Sequence, residues 1–187
     1  MHQQFDLRTW GRWVASFVGF PLAGLAAKGL AGPIDSTSSA IVGGLAAGAV
    51  LGAVQAIALP ADTSRRLRWT AATAVGMAAG LAVGATAVDF AVDARGLTVM
   101  GAITGASIGL AQMTVFTASP ARRFAWAATS SLLWALGWLI TSQVIVDADS
   151  QFANFGASGA IVATLLGGVL LAVRPLPIVS SGGRSTR

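Results

Sequence analysis

Few side chains in this 187-residue chain are equipped for chemistry, and most of them lie inside apolar runs. Gln55 and Gln112 each close a stripe of glycines, Gly44-Gly48-Gly52 in one case and Gly101-Gly105-Gly109 in the other. An amide in hydrocarbon seeks a partner, and an interhelical hydrogen bond there is worth about 0.6–2 kcal/mol. These glutamines read either as ligand or ion contacts or as structural glue between helices. Trp134 and Trp138 stand one helical turn apart. They suit the stacking of a flat hydrophobic ligand such as a quinone, carotenoid or sterol-like lipid, and equally suit plain packing or lipid contact.

The remaining polar groups point to no reaction. Asp147 and Asp149 form a D-x-D with Gln151 and Asn154 nearby, but calcium takes six to eight oxygen ligands, so a solvated loop is expected. A serine nucleophile wants a histidine or lysine base. The single histidine is His2, in the N-terminal tail, and Lys28 has no serine at helical spacing. Paired carboxylates inside the apolar runs are absent, as are a phosphate-binding loop and a dinucleotide fingerprint. With no cysteine, disulfide scaffolds, iron–sulfur clusters and thiolate zinc sites are excluded. No enzyme activity, metal or cofactor is expected.

The elements that position these residues follow from composition. Hydrophobic residues make up 55% of the chain and charged residues 10%, against about 25% charged in a soluble domain. Apolar runs of 18 or more residues read as membrane spans. Six are predicted, at roughly 10–31, 39–59, 68–90, 97–118, 123–146 and 154–173, joined by short connections that make successive helices antiparallel neighbours. Asp89, at the edge of the third span, is the nearest approach of an acid to a span interior.

Placing both termini and the even-numbered connections on one side gathers Arg8, Arg12, Arg65, Arg66, Arg68, Arg122, Arg123, Arg174, Arg184 and Arg187 there. Lys28 and Arg95 alone fall on the other. This predicts cytoplasmic termini. The net charge of +5 then reflects basic loops facing anionic lipid, and nucleic acid is not an expected partner. Trp13, Trp69 and Trp126, beside Arg12, Arg68, Arg122 and Arg123, read as interfacial anchors with indole at headgroup depth. The basic start of the first span resembles a signal peptide, but its match to later spans reads it as a retained helix.

That match is an internal repeat. Gly44, Gly48, Gly52 and Gln55 recur 57 residues later as Gly101, Gly105, Gly109 and Gln112. Gly159, Ala163 and Gly167 follow 58 residues after that, with Leu170 in place of the glutamine. Trp13, Trp69 and Trp126 are each followed 11 residues on by glycine, at Gly24, Gly80 and Gly137. The repeating unit is a helical hairpin. The predicted fold is therefore all-α, a polytopic membrane protein of six transmembrane helices. They form three tandem hairpins related by a pseudo-threefold axis along the membrane normal. One transmembrane domain covers 1–173 (repeats about 12–68, 69–125 and 126–173), and 174–187 form a flexible cytoplasmic tail.

The glycine stripes, including Gly76, Gly80 and Gly84, and Gly159 with Gly167, are expected to pack helices closely. A self-association face or a glycine-lined conduit is the other reading. The second, fourth and sixth helices are expected to meet on the axis and close the centre. The layout resembles a loose group of small bacterial multi-pass proteins with repeated G-x-x-x-G-x-x-Q helices, each followed by a basic loop and a tryptophan. That resemblance implies a bacterial inner membrane but no activity. The expectation is a structural or accessory component that packs against itself or another membrane protein. The alternative is a carrier or channel for a small solute or hydrophobic ligand.

Overall fold

The computed structural model describes residues 7–59, 61–115 and 118–144, together with the helical positions Val162, Leu165 and Gly168. All regular structure among the described residues is helical. The helices are α1 (Leu7–Ala15), α2 (Gly19–Ala31), α3 (Thr37–Ala58), α4 (Thr63–Ala87), α5 (Ala94–Gln112) and α6 (Pro120–Val144). A 3-10 turn, Ser16–Val18, joins α1 to α2. Together these three pieces make one span, Arg8–Ala31, the first of five helices long and apolar enough to cross a membrane. The predicted sixth span, with Gly159, Gly167, Asp147, Asp149 and the tail 174–187, lies outside the described residues.

Pro21 accounts for the 3-10 turn. A proline inside a helix donates no hydrogen bond and its ring collides with the carbonyl four residues earlier, here that of Phe17. The chain tightens at Ser16–Val18 and restarts as α2, which leaves Pro21 in the tolerant first turn.

Helix starts depart from the hydropathic edges because caps draw polar residues into the first turn. Ser36 and Ser39 form a reciprocal capping box at the start of α3. The Asp62 carboxylate accepts from the Arg65 amide at 2.8 Å, and that of Asp93 from the Gly96 amide at 2.6 Å. Arg65, Arg66 and Arg95 are thereby helical rather than in connections. Asp89, expected at the edge of a span, falls beyond the end of α4 in a turn, where it takes a φ of 50°.

Each helix from α2 to α6 packs on its neighbours in sequence; among the described residues the backbones of α3 and α5, and of α2 and α4, do not approach one another closely. The glycine stripes set the register. A Cβ at Gly44, Gly48 or Gly52 on α3 would meet Ala78, Ala74 or Thr70 on α4, so the partner number falls as the glycine number rises. Gly76, Gly80 and Gly84 face Ile108, Thr104 and Met100 in the same way. Gly101, Gly105 and Gly109 face the α6 segment from Ala127 to Trp138. Each of these three described stripes is turned to the next helix in the chain. This corrects the expectation that glycine-rich helices meet at the centre. A bare backbone is most useful where two backbones run side by side, and that is between helices successive in the chain.

Polarity is distributed as in a bilayer-embedded chain. Leu30 and Leu132 are 72% and 71% exposed, while Gln55, Thr73, Thr104, Gln112 and Ser130 are buried. Large apolar side chains therefore face outward, and hydroxyls and amides face inward.

Candidate functional site

Trp13 of α1, Trp69 of α4 and Trp126 of α6 meet at the arginine-rich end of the bundle. Their ring centroids are 6.1, 6.4 and 6.0 Å apart, within the range of edge-on and tilted aromatic contact. All three are at most 2% exposed. This corrects their reading as headgroup anchors. A buried indole N–H usually finds a hydrogen-bond partner, and two of these N–H groups are bonded by glutamine. The Trp69 Nε1 donates to Gln55 Oε1 at 3.2 Å, and the Trp126 Nε1 to Gln112 Oε1 at 3.1 Å. Each glutamine precedes its tryptophan by 14 residues, across the connection between successive hairpins.

Gln112 does more than Gln55. Its Nε2 donates to Thr73 Oγ1 at 2.9 Å, and that hydroxyl donates to the Trp69 carbonyl at 2.8 Å. One amide thus ties α5 to both α4 and α6. Ser130 follows Trp126 by the interval that separates Thr73 from Trp69. Yet the Ser130 hydroxyl is buried with no hydrogen-bond partner, as is that of Thr104.

Arginine completes this end. Arg12 donates to the Ile57 carbonyl, and Arg66 to the Leu59 carbonyl at 3.4 Å, both at the end of α3. Arg123 Nε donates to the Met113 carbonyl at 2.8 Å, at the end of α5. Cations here satisfy orphan carbonyls and oppose the negative end of the helix dipole. Arg123 therefore acts on a helix end, whereas Arg68 and Arg122 are exposed. Asp62 is also exposed. The amide hydrogen bond from Arg65 holds its carboxyl below the usual aspartate value, helped by the charges of Arg65 and Arg68.

Beyond the indoles lies an apolar cavity of about 220 Å³. Phe20, Leu51, Met77 and Trp134 line the part nearest the tryptophans, and Phe20 and Trp134 touch at a centroid distance of 5.7 Å. Leu81 and Trp138 line it further along; Trp134 and Trp138 lie 6.4 Å apart. Pro33, Ile34 and Val92, from the α2–α3 and α4–α5 connections, mark its far rim. Thr141 is the one hydroxyl in the lining, and it donates to the Gly137 carbonyl at 2.9 Å. Among the described residues, no charged side chain lines the cavity.

At the rim, Asp89 and Phe90 take consecutive left-handed conformations, with φ of 50° and 58°. For a bulky aromatic this is a strained backbone. It is held by the Phe90 amide donating to the Ala85 carbonyl at 2.8 Å and by Phe90 packing on the core.

The structure therefore separates the predicted site residues into two groups. Gln55 and Gln112 belong to the indole cluster, while Trp134 and Trp138 belong to the cavity. Sequence reasoning did not single out Thr73, Ser130, Phe20, Met77 or Leu81. A signal for the last three was present, since Phe20, Met77 and Trp134 follow one another at steps of 57, as do Gly24, Leu81 and Trp138. Compared with protein-family models, with curated proteins and with solved structures, the chain matches none.

Proposed function

We propose that this chain is a multi-pass membrane protein that binds a hydrophobic ligand within the bilayer. The carrying observation is the cavity of about 220 Å³ walled by Phe, Leu, Met and Trp, with its one hydroxyl already bonded to backbone. Small-molecule sites are typically concave and mostly apolar. An ion or a polar solute needs several oxygens or charges to replace its hydration, and the described lining supplies one hydroxyl and no charge. The hydrophobic-ligand alternative thus takes precedence over a purely structural or accessory role. The three indoles in contact at one end favour holding a ligand over conducting a solute straight through. Neither the lining nor the indole cluster suggests a catalytic role.

The topology proposal stands beside it. The arginine-rich end lies in the cytoplasm of a bacterial cell, against anionic lipid, with three hairpins arranged about a pseudo-threefold axis. The mutual contact of Trp13, Trp69 and Trp126, one from each proposed hairpin, supports that arrangement. The function is tested by purifying the protein in mild detergent and extracting it with organic solvent. A stoichiometric hydrophobic compound is the expected result. Its absence, together with stable co-purification of one membrane protein, would restore the accessory reading.

A further inference from the structure

The cavity's size, shape and wall chemistry narrow its ligand. An apolar void of about 150 Å³ holds one benzene ring, and pockets for drug-sized molecules run to roughly 300–1,000 Å³. At about 220 Å³ this cavity falls between them, too small for a fused-ring sterol or a carotenoid. It is also elongated. The lining on α2 runs from Phe20 to Ala27 and that on α6 from Trp134 to Thr141, each about 10 Å of helix.

Among the described residues, the wall's polar side-chain atoms are the Thr141 hydroxyl, whose proton goes to the Gly137 carbonyl, and the Trp134 and Trp138 indole N–H groups, and it offers no charge to hold a polar headgroup inside. Met77 and Met100, flexible and polarisable, suit a ligand of variable conformation. One end is stopped by the Phe20–Trp134 pair with the three indoles beyond it. The other reaches Pro33, Ile34 and Val92, in connections that also carry Asp35 and Asp93. A polar headgroup belongs at that end and a tail belongs inside.

We infer that the cavity takes a single hydrocarbon chain of a membrane lipid, tail first, from the leaflet at the Asp35/Asp93 end. The inference rests on the hydrophobic-ligand reading and specifies its chemical class. Terminal carbons lie against Trp134 and Trp138, and the headgroup stays outside the helices.

The test uses indole fluorescence of the full chain in mild detergent. The probes are an alkanoic acid brominated at its terminal carbon, the same acid brominated beside the carboxylate, and a brominated fused-ring hydrocarbon. Saturable quenching by the terminal bromine and little by the proximal one is expected. It should fall sharply in Trp134→Phe/Trp138→Phe, which removes the two indoles of the cavity wall and leaves the other four. It should also be lost in Ala47→Leu and in Leu81→Phe, which fill the cavity from two different helices. At least one filling variant must keep the wild-type elution volume and helical circular dichroism, which separates lost binding from lost folding. Equal, unsaturable quenching by both acids overturns tail-first insertion. Saturable quenching by the fused-ring probe alone overturns the chain assignment and leaves the hydrophobic-ligand reading standing. Saturable quenching by none of the probes defeats both.

Discussion

The two ends of the bundle solve the same packing problem in opposite ways. At the arginine-rich end, three large indoles fill the centre, their N–H groups reach buried glutamines, and arginines close the helix ends. At the other end the same helices present Phe, Met, Leu and Trp to a space they do not fill. One end has specific geometry enforced by hydrogen bonds that hydrocarbon cannot replace. The other has only dispersion contacts, which a ligand chain supplies equally well. Rigidity and vacancy are thus built from one helix set, separated by about two helical turns between Trp126 and Trp134.

The seams joining the two ends give the largest expected effect. A Cβ at Gly48 would lie 2.6 Å from the Ala74 Cα, and one at Gly105 would lie 2.5 Å from the Ser130 carbonyl oxygen. Gly48→Leu and Gly105→Leu therefore force backbones apart and cost at or beyond the upper end of roughly 1–3 kcal/mol. Loss of monodisperse protein on size exclusion is the readout. Tolerance at both positions with unchanged melting would show that the stripes do not face these helices.

Removing the amides sharpens the contrast between the ends. Gln112→Leu strips a partner from both Trp126 and Thr73, so a loss of about 1–3 kcal/mol is expected. Gln55→Leu takes the glutamine partner from Trp69 and should cost less. Thermal unfolding in one detergent ranks the two, and an equal or reversed order would remove Gln112 from its bridging position.

A smaller contrast lies within the arginine-rich end itself. Thr73→Val deletes a hydroxyl that both donates and accepts, and about 1 kcal/mol is expected. Ser130→Ala deletes a buried hydroxyl with no partner, so neutrality or slight stabilisation is expected. A clear loss at Ser130 would reveal a bond that the structure does not contain. Leu170 occupies the sequence position that matches Gln55 and Gln112 in the third copy of the sequence repeat. Leu170→Gln is then expected to raise the melting temperature.

The smallest effect is electrostatic. The Asp62 carboxyl is held below its ordinary value, so its contribution is present above the unfolded aspartate pKa. It is lost as pH falls through the folded one. Asp62→Ala should flatten the acid side of the melting curve slightly, and Asp62→Asn, which still caps, should keep the stability seen at neutral pH. An Asp62→Ala curve identical to wild type would assign the cap no thermodynamic role.

The helices were legible in the sequence because their cause is local. A run of apolar residues long enough for a bilayer, begun at a cap such as Asp62 or Asp93, specifies a helix whatever surrounds it. The antiparallel succession of the helices follows equally from their short connections. The spacing of Trp13, Trp69 and Trp126 was plain too, but not which way the indoles faced. Beside arginine, a tryptophan at a helix end suits the headgroup layer as well as a bundle interior. Only the approach of Gln55 to Trp69, and of Gln112 to Trp126, decides between them.

The glycine stripes show the same division. Their four-residue period marks a face for close backbone approach, but the choice of facing helix depends on how neighbours are arranged around a ring. The cavity was the least legible feature. It is a volume left over among Phe20, Met77, Trp134 and their neighbours, and no residue by itself encodes a space. Sequence alone determined that this chain makes apolar helices with caps, small-residue faces and buried amides, because each of those is a property of a segment. Tertiary structure alone decided that the indoles turn inward, that the described stripes each face the next helix in the chain and that the centre is partly open. Those features depend on distances between segments far apart in the chain.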